Sequence, residues 1–147
     1  MSKAFAFAGA RLGYLAARPE IVQALQVVRL PYHLSALTQA AALAALRHRD
    51  ALTGELDALI ASRERMRAEL ERMDLVVLDS DANFLLFGGL DDQQVVWQLL
   101  LDQGVLVRDV GLPGWLRVTA GTPEQTEAFI AAMRRVLVEH PECRAVR

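Results

Sequence analysis

The hydrophobic positions of the first half of the chain recur mostly with helical spacing. One helix is predicted to begin at Pro19 and to end before Pro31, because proline is tolerated in the first turn of a helix but not in its interior. Its apolar stripe consists of Ile21, Val22, Leu25 and Val28. Before this helix, the continuous apolar run over 12–17 predicts a buried strand.

Two further helices are expected in succession, each introduced by a residue that can cap it. Ser35 is the expected N-cap of an alanine-rich helix over 36–48, and Asp50 is the expected N-cap of a longer helix that ends at Met73. The longer helix is apolar on one side, and Arg and Glu alternate on the other side at helical spacing. This charge pattern is typical of a solvated face rather than of a binding patch.

The pattern changes after residue 74, where short apolar runs replace the helical stripes. These runs predict strands over 76–78, 84–87, 105–110 and 115–120. Between them, Asp91 is expected to cap a helix that runs to about Gln103, with Gly104 at the C′ position. Thr122 and Gln125 are expected to form the capping box of a last helix that ends near His140, followed by a frayed tail. A long helix followed by a small strand layer with two helices predicts an α+β sandwich.

Composition and charge exclude several classes of protein. The 147 residues are 53% hydrophobic and 23% charged, which suits one globular domain and part of a second. A net charge of -2 gives no field for nucleic acid or an anionic membrane. No apolar run reaches the roughly 18 residues of a membrane span, and no signal peptide is evident, so a cytoplasmic protein is expected. The single cysteine, Cys143, excludes an internal disulfide, and no cluster with metal-ligand spacing occurs, so no metal is expected.

A chemically distinctive pair lies near the start of the chain. Lys3 is the only lysine among the sixteen Lys and Arg residues. An amine can form a Schiff base with an aldehyde, whereas arginine stays protonated. Arg11 offers a planar fork suited to phosphate. The pair indicates pyridoxal phosphate, an aldehyde that carries a phosphate, although composition alone also allows an ordinary solvated lysine.

Two arginines interrupt apolar strands and form the second candidate site. Arg108 and Arg117 each lie in the middle of a predicted strand, where an unpaired guanidinium is costly. Each therefore needs an anion or a route to solvent. Asp109 or another carboxylate of the chain is one candidate partner, and a substrate anion is the other.

Several segments resemble one family. Residues 2–13, Ser-Lys-x-x-Ala-Phe-x-Gly-x-Arg-Leu-Gly, resemble the lysine signature of class I and II aminotransferases with the aspartate aminotransferase fold. Four later segments are similar, in the same order, to histidinol-phosphate aminotransferases: 29–35, 81–84, 106–109 and 115–122. Members of this family are more than twice as long as this chain.

The resemblance implies an α/β family fold, of which this chain is the carboxyl-terminal part. Residues 1–34 would be a remnant of the large domain that binds pyridoxal phosphate. Residues 35–147 would form the long connecting helices and the small α+β domain. In the family the lysine, here Lys3, binds the cofactor and moves the substrate proton, and Ser2 and Arg11 would hold the cofactor phosphate.

Substrate-binding roles are also implied by the resemblance. Arg117 would take the substrate carboxylate, and Arg108 would act with it on the phosphate of histidinol phosphate. Tyr32 and Asn83 would lie near the substrate. Packing for Tyr32 and a turn or cap for Asn83 are the alternatives that the residues themselves leave open.

The implied reaction transfers an amino group between histidinol phosphate and 2-oxoglutarate, in histidine biosynthesis, in a homodimer. The cofactor's acidic partner, its stacking ring and its phosphate loop precede the lysine in the family, so this chain alone is expected to have little or no activity. Two alternatives stay open. One is a non-catalytic module that dimerises through an apolar surface, and the other is an aromatic or aspartate-type aminotransferase, which needs Arg117 but no phosphate at Arg108.

Overall fold

The computed structural model describes residues 2–145, except for the side chains of Leu52 and Thr53. The chain divides into two compact units, Met1–Leu56 and Asp57–Arg147. The expected domain boundary after residue 34 stays a prediction.

Helices dominate the first unit. A 3₁₀ turn spans Ala8–Ala10, and helices α1 and α2 span Pro19–Val28 and Ala36–Arg47. The predicted cap of α2 is confirmed, because the Ser35 hydroxyl accepts a hydrogen bond from the backbone N–H of Thr38 at 3.0 Å.

The buried strand expected over 12–17 is wrong. Residues 12–18 form a connection without strand pairing, and Tyr14 is 87% exposed. A strand requires a neighbour to accept and donate its backbone hydrogen bonds. The described residues of the first unit supply none, so an apolar run alone does not produce a strand here.

The first unit buries few of its own side chains. Ala42 is the only buried residue among the described residues of α1 and α2. Large apolar side chains are exposed instead: Tyr14, Leu15, Ile21, Leu25, Val27, Val28, Leu30, Tyr32, Leu37, Leu43 and Leu46. Many exposed apolar side chains are typical of a segment that packs against another chain or domain.

The second unit includes most of helix α3, Arg49–Arg72, and is built on a four-stranded antiparallel sheet. Its strands are β1 (Val76–Val77), β2 (Phe84–Gly88), β3 (Arg108–Asp109) and β4 (Trp115–Thr119), in the order β1-β2-β4-β3. Helices α4 and α5 span Gln93–Asp102 and Pro123–Glu139. The sheet and its helices form the expected α+β arrangement.

Helix caps were partly predicted. Thr122 and Gln125 form the expected capping box, and Gly104 follows α4 with φ of 77°. Two cap assignments were wrong. Asp92, rather than Asp91, caps α4 by accepting from the backbone N–H groups of Gln94 and Val95. Asp50 lies inside the first turn of α3, which begins at Arg49.

The register of the central ladder assigns each side chain to one face of the sheet. Leu85 pairs with Val118 and Phe87 with Leu116, and all four are buried. The alternate positions Phe84, Leu86, Arg117 and Thr119 lie on the opposite face, because successive side chains of a strand point to opposite sides.

Helices α3, α4 and α5 supply the rest of the core. Their fully buried side chains include Met66, Leu70, Val96, Leu100, Met133 and Leu137. Phe87 of β2 meets Phe129 of α5 edge to face, with ring centroids 6.0 Å apart. Within residues 2–145, no helix is both long and apolar enough to cross a lipid bilayer.

The tail after α5 is ordered over 141–145, so the expectation of fraying is wrong for these residues. Cys143 is 4% exposed, and its carbonyl accepts from the Asp91 N–H at 2.9 Å. Burial raises the pKa of the Cys143 thiol, with a further contribution from nearby carboxylates. The Arg144 guanidinium donates to the carbonyls of Met73 and Leu137, both at 3.3 Å. These backbone contacts hold the tail against the core.

A buried carboxylate joins α3 to α5. The Glu69 side chain is 6% exposed and forms ion pairs with Arg65 at 3.3 Å, with Arg134 at 2.7 Å and with Arg72. Burial alone would raise the pKa of Glu69. The hydrogen bond from Arg72 and the charges of Arg72, Arg65 and Arg134 outweigh burial and lower the pKa.

This cluster predicts a loss of stability in acid. A carboxylate with a lowered pKa stabilises the folded state above its ordinary pKa of 4.5, and this contribution disappears as the pH falls through the folded-state pKa. We expect the free energy of unfolding of the wild-type protein to fall more steeply below pH 4.5 than that of Glu69→Gln, measured by urea unfolding from pH 7 to 3. Parallel pH profiles for the two proteins would contradict this assignment.

Gly88 allows an aromatic ring to lie flat on the open face of the sheet. It pairs with Trp115 across β2 and β4, and a Cβ at position 88 would overlap the Trp115 ring. We expect Gly88→Ala to lower the free energy of unfolding by about 1–3 kcal/mol, because the ring must leave its place. Urea unfolding of a double-mutant cycle with Trp115→Leu is the measurement, and the cost should largely vanish when the Trp115→Leu substitution is already present. An additive cycle would show that the ring is not the cause.

Candidate functional site

The lysine signature forms a loop with a turned backbone. Residues 2–5 form hydrogen-bonded turns, and the Lys3 carbonyl accepts from the Ala6 N–H at 3.0 Å. Lys3 is exposed and Ser2 is half-buried. The three predicted cofactor-binding residues therefore lie on one short loop of the first unit, with Arg11 at its end.

This loop contains left-handed backbone at residues other than glycine. Both Ala6 and Arg11 have φ of 50°. Such conformations cost an L-residue roughly 1–2 kcal/mol each and are concentrated at functional sites. The Arg11 guanidinium donates to the Ala8 carbonyl at 3.1 Å through Nη1, which ties the side chain to the 3₁₀ turn. Its other N–H groups make no hydrogen bond with the described residues.

The second candidate pair lies on neighbouring strands of the second unit. Arg108 of β3 is the direct partner of Arg117 of β4, so the two side chains project from the same face of the sheet. Like charges directly opposite each other on antiparallel strands repel. Neither arginine forms an ion pair with any side chain within residues 2–145.

Asp109 does not neutralise this pair. Its Oδ1 accepts from the backbone N–H of Gly111 at 2.8 Å, which shapes the turn after β3. The expected intramolecular carboxylate partner is therefore absent among the described residues. Arg108 is exposed and therefore has the route to solvent that the sequence left open, whereas Arg117 is half-buried. An external anion stays a prediction for this pair.

Arg117 is held by an aromatic ring and lacks one hydrogen bond. Its Cζ atom lies 4.8 Å from the centre of the Phe84 ring, within cation–π range. Its Nε atom is buried and has no hydrogen-bond partner among the described residues. A buried N–H without an acceptor costs about 1–3 kcal/mol, and a bound anion would supply the acceptor for this side chain.

Both arginines line one cleft. The cleft has a volume of about 530 Å³, and its lining consists of Trp97, Leu106, Val107, Arg108, Asp109, Arg117 and Thr119. Two cationic side chains on an apolar wall suit a small ligand that carries a phosphate or a carboxylate.

Tyr32 and Asn83 lie in different surroundings. Tyr32 has φ of 54°, is 99% exposed, and borders a cleft of about 550 Å³ within the first unit, together with Arg29, His33 and Gln39. Asn83 is half-buried immediately before β2, and its carbonyl accepts from the Ala120 N–H at 2.9 Å. This backbone bond extends the β2–β4 ladder by one position, and both the turn or cap role and the substrate role of Asn83 stay predictions.

Sequence reasoning missed Trp97 and Phe84. Trp97 lies in a predicted helix and receives no role from the sequence, and Phe84 is predicted only as part of a strand. The alternation along β2 puts Phe84 on the same face as Arg117 once the register is known. No local signal connected Trp97 of α4 to Arg108 of β3. Within residues 2–145, no group of three or more His, Cys, Asp or Glu side chains could hold a metal ion.

Comparison with known proteins identifies the family. The sequence model of the family "Aminotransferase class I and II" matches residues 1–133. The histidinol-phosphate aminotransferase of Streptomyces avermitilis is 60% identical over 139 residues, which cover 95% of this chain and 38% of that protein. The corresponding protein of Mycolicibacterium smegmatis is 64% identical over 132 residues, 90% of this chain and 35% of that protein. The chain thus spans little more than a third of these relatives.

A solved structure supports the same relationship. The histidinol-phosphate aminotransferase of Sinorhizobium meliloti, in complex with pyridoxal-5'-phosphate, superposes with a TM-score of 0.77 at 28% identity, over 94% of this chain and 39% of that chain. The expected fold class is confirmed, as a part of a larger α/β enzyme fold. This chain belongs to the family of class I and II aminotransferases.

Proposed function

We propose that this chain is part of a histidinol-phosphate aminotransferase and carries its lysine and its substrate-binding arginines. The observation that supports this most directly is the pairing of Arg108 with Arg117 in one cleft, where neither forms an ion pair with the described residues. The implied reaction moves an amino group between histidinol phosphate and 2-oxoglutarate. One substrate brings a dianionic phosphate and the other brings carboxylates, and two adjacent guanidinium groups suit both.

The proposed cofactor is pyridoxal 5'-phosphate, and the loop residues fit it chemically. Lys3 offers an exposed amine, Ser2 a hydroxyl donor and Arg11 a cation with unused N–H donors, all on one strained loop. When bound, the cofactor supplies an electron sink that makes the substrate α-proton removable. Lys3 Nζ would accept that proton and return it, while Ser2 and Arg11 would hold the phosphate end.

At the substrate end, Arg117 would orient the carboxylate and Arg108 would complete the phosphate site. Phe84 would limit the motion of the Arg117 guanidinium through the contact at 4.8 Å. Tyr32 and Asn83 would border the substrate. The alternative aromatic or aspartate-type activity would need Arg117 alone.

The complete activity would require more polypeptide than these 147 residues. The chain spans 38% of the relative from S. avermitilis. The exposed apolar surface of the first unit favours a covering partner, which we propose to be the remaining part of such an enzyme within a homodimer in the cytoplasm. By itself the chain would have weak or no transaminase activity. A dimerising module without catalysis is the second candidate, and the same exposed surface favours it.

Trapping at Lys3 tests the proposed cofactor. Incubation with pyridoxal 5'-phosphate followed by borohydride should attach a phosphopyridoxyl group to Lys3, because its amine is exposed and is the only lysine amine of the chain. Peptide mass spectrometry locates the group.

Lys3→Arg should lose this label, and Arg11→Leu should require several-fold more cofactor for the same yield. Equal labelling in wild type and Arg11→Leu would argue against the phosphate role of Arg11, and unlabelled Lys3 would favour the non-catalytic module.

Binding of histidinol phosphate tests the arginine pair. We expect Arg108→Leu and Arg117→Leu each to weaken binding about tenfold or more, because each removes a cation from the phosphate site. Isothermal titration calorimetry on the full chain at pH 8 measures the affinity. The matched control is Arg135→Leu, at an exposed arginine of α5 outside the cleft, and it should bind like wild type. Wild-type affinity in both cleft variants would exclude this site.

A further inference from the structure

The edge strand that carries Arg108 is short. Strand β3 consists of Arg108 and Asp109 and pairs only with β4, at the edge of the sheet. Few ladder hydrogen bonds therefore hold it, and edge segments of this kind open more easily than a central strand. Repulsion from Arg117, directly opposite, would push Arg108 outward. Some other contact is needed to hold Arg108 at a fixed distance from Arg117.

Helix α4 provides such a contact through Trp97. The indole Nε1–H of Trp97 donates to the carbonyl of Val107, the residue before Arg108, at 2.9 Å. Val96 and Leu100, on the same helix, have no exposed surface, so the indole projects from a fixed support. The Trp97 ring also lines the cleft that contains both arginines.

We propose that Trp97 is a positioning residue that sets the distance between Arg108 and Arg117 and thereby favours a dianionic phosphate over a carboxylate. The inference rests on the proposed function, in which these arginines bind the substrate anion. A phosphate dianion has three oxygens and gains from two guanidinium groups at once. A carboxylate is satisfied by one bidentate arginine. Loss of the correct spacing therefore weakens phosphate binding more than carboxylate binding.

Asp109 supports the same strand from its other end. The hydrogen bond from the Gly111 N–H to Asp109 Oδ1, at 2.8 Å, closes the turn that leaves β3. Together the two side-chain bonds fix the backbone on both sides of Arg108. Of the two, the indole bond comes from a different element, α4, and it ends on Val107, the residue next to Arg108.

The test compares two ligands on the full chain. Calorimetry at pH 8 measures the affinities for histidinol phosphate, as the dianion, and for free L-alanine, as a ligand with a single carboxylate. In Trp97→Phe, which keeps an aromatic ring but removes the N–H donor, histidinol phosphate binding should weaken about threefold to tenfold, the range expected for one lost hydrogen bond. Binding of L-alanine should change less than about twofold.

The ratio of the two affinities separates positioning from general damage, because both ligands bind the same folded molecules. Leu99→Val, a packing change on the same helix outside the cleft, is the matched control and should keep the wild-type ratio. If Trp97→Phe does not fold, Trp97→Tyr replaces it, with the same expected ratio. Equal weakening of both ligands, an unchanged ratio, or the same shift in Leu99→Val would overturn the role of Trp97.

Failure of the proposed function has a different signature. In that case Arg108→Leu and Arg117→Leu bind histidinol phosphate like wild type, or wild type does not bind it at all. Loss of binding in both arginine variants together with an unchanged ratio in Trp97→Phe would leave the proposed function standing and reject this inference alone.

Discussion

The five-residue ladder between β2 and β4 holds the second unit in register. It sends Leu85, Phe87, Leu116 and Val118 into the core and leaves the alternate side chains on the other face. A slip of one residue would exchange the two sets, burying Arg117 and exposing the core. Burial of these four apolar side chains thus fixes the position of the Arg117 side chain, although Arg117 is not part of the core.

The helical side of the sheet and its open face differ in how their charged side chains are paired. On the helical side, Glu69 is surrounded by three arginines that compensate its burial. On the open face, Arg108 and Arg117 lie side by side, and neither forms an ion pair with the described residues. This contrast supports the proposed binding role of the open face.

The two units differ in how much they stabilise themselves. The second unit has a continuous core that includes the tail residue Cys143. The first unit exposes most of its large apolar side chains and contains strained backbone at Ala6 and Arg11. Strain persists only where surrounding contacts hold it. The lysine loop is thus the part whose geometry depends most on additional contacts, while the arginine cleft is built from elements that the second unit fixes by itself.

Features that depend on neighbouring residues could be predicted from the amino-acid sequence: the cap at Ser35, the capping box at Thr122, the glycine after α4, the α+β class and the family signature around Lys3. These features rest on hydrogen bonds and periodicities within a few positions. Features that depend on distant partners emerged only in the folded chain. Folding left 12–17 unpaired, packed the tail onto the core, opposed Arg108 to Arg117, and brought Trp97 to the strand beside them. Local sequence patterns do not show which strands are neighbours. The tertiary structure was therefore needed to show that Arg108 and Arg117 share one cleft and that the Trp97 indole contacts the residue before Arg108.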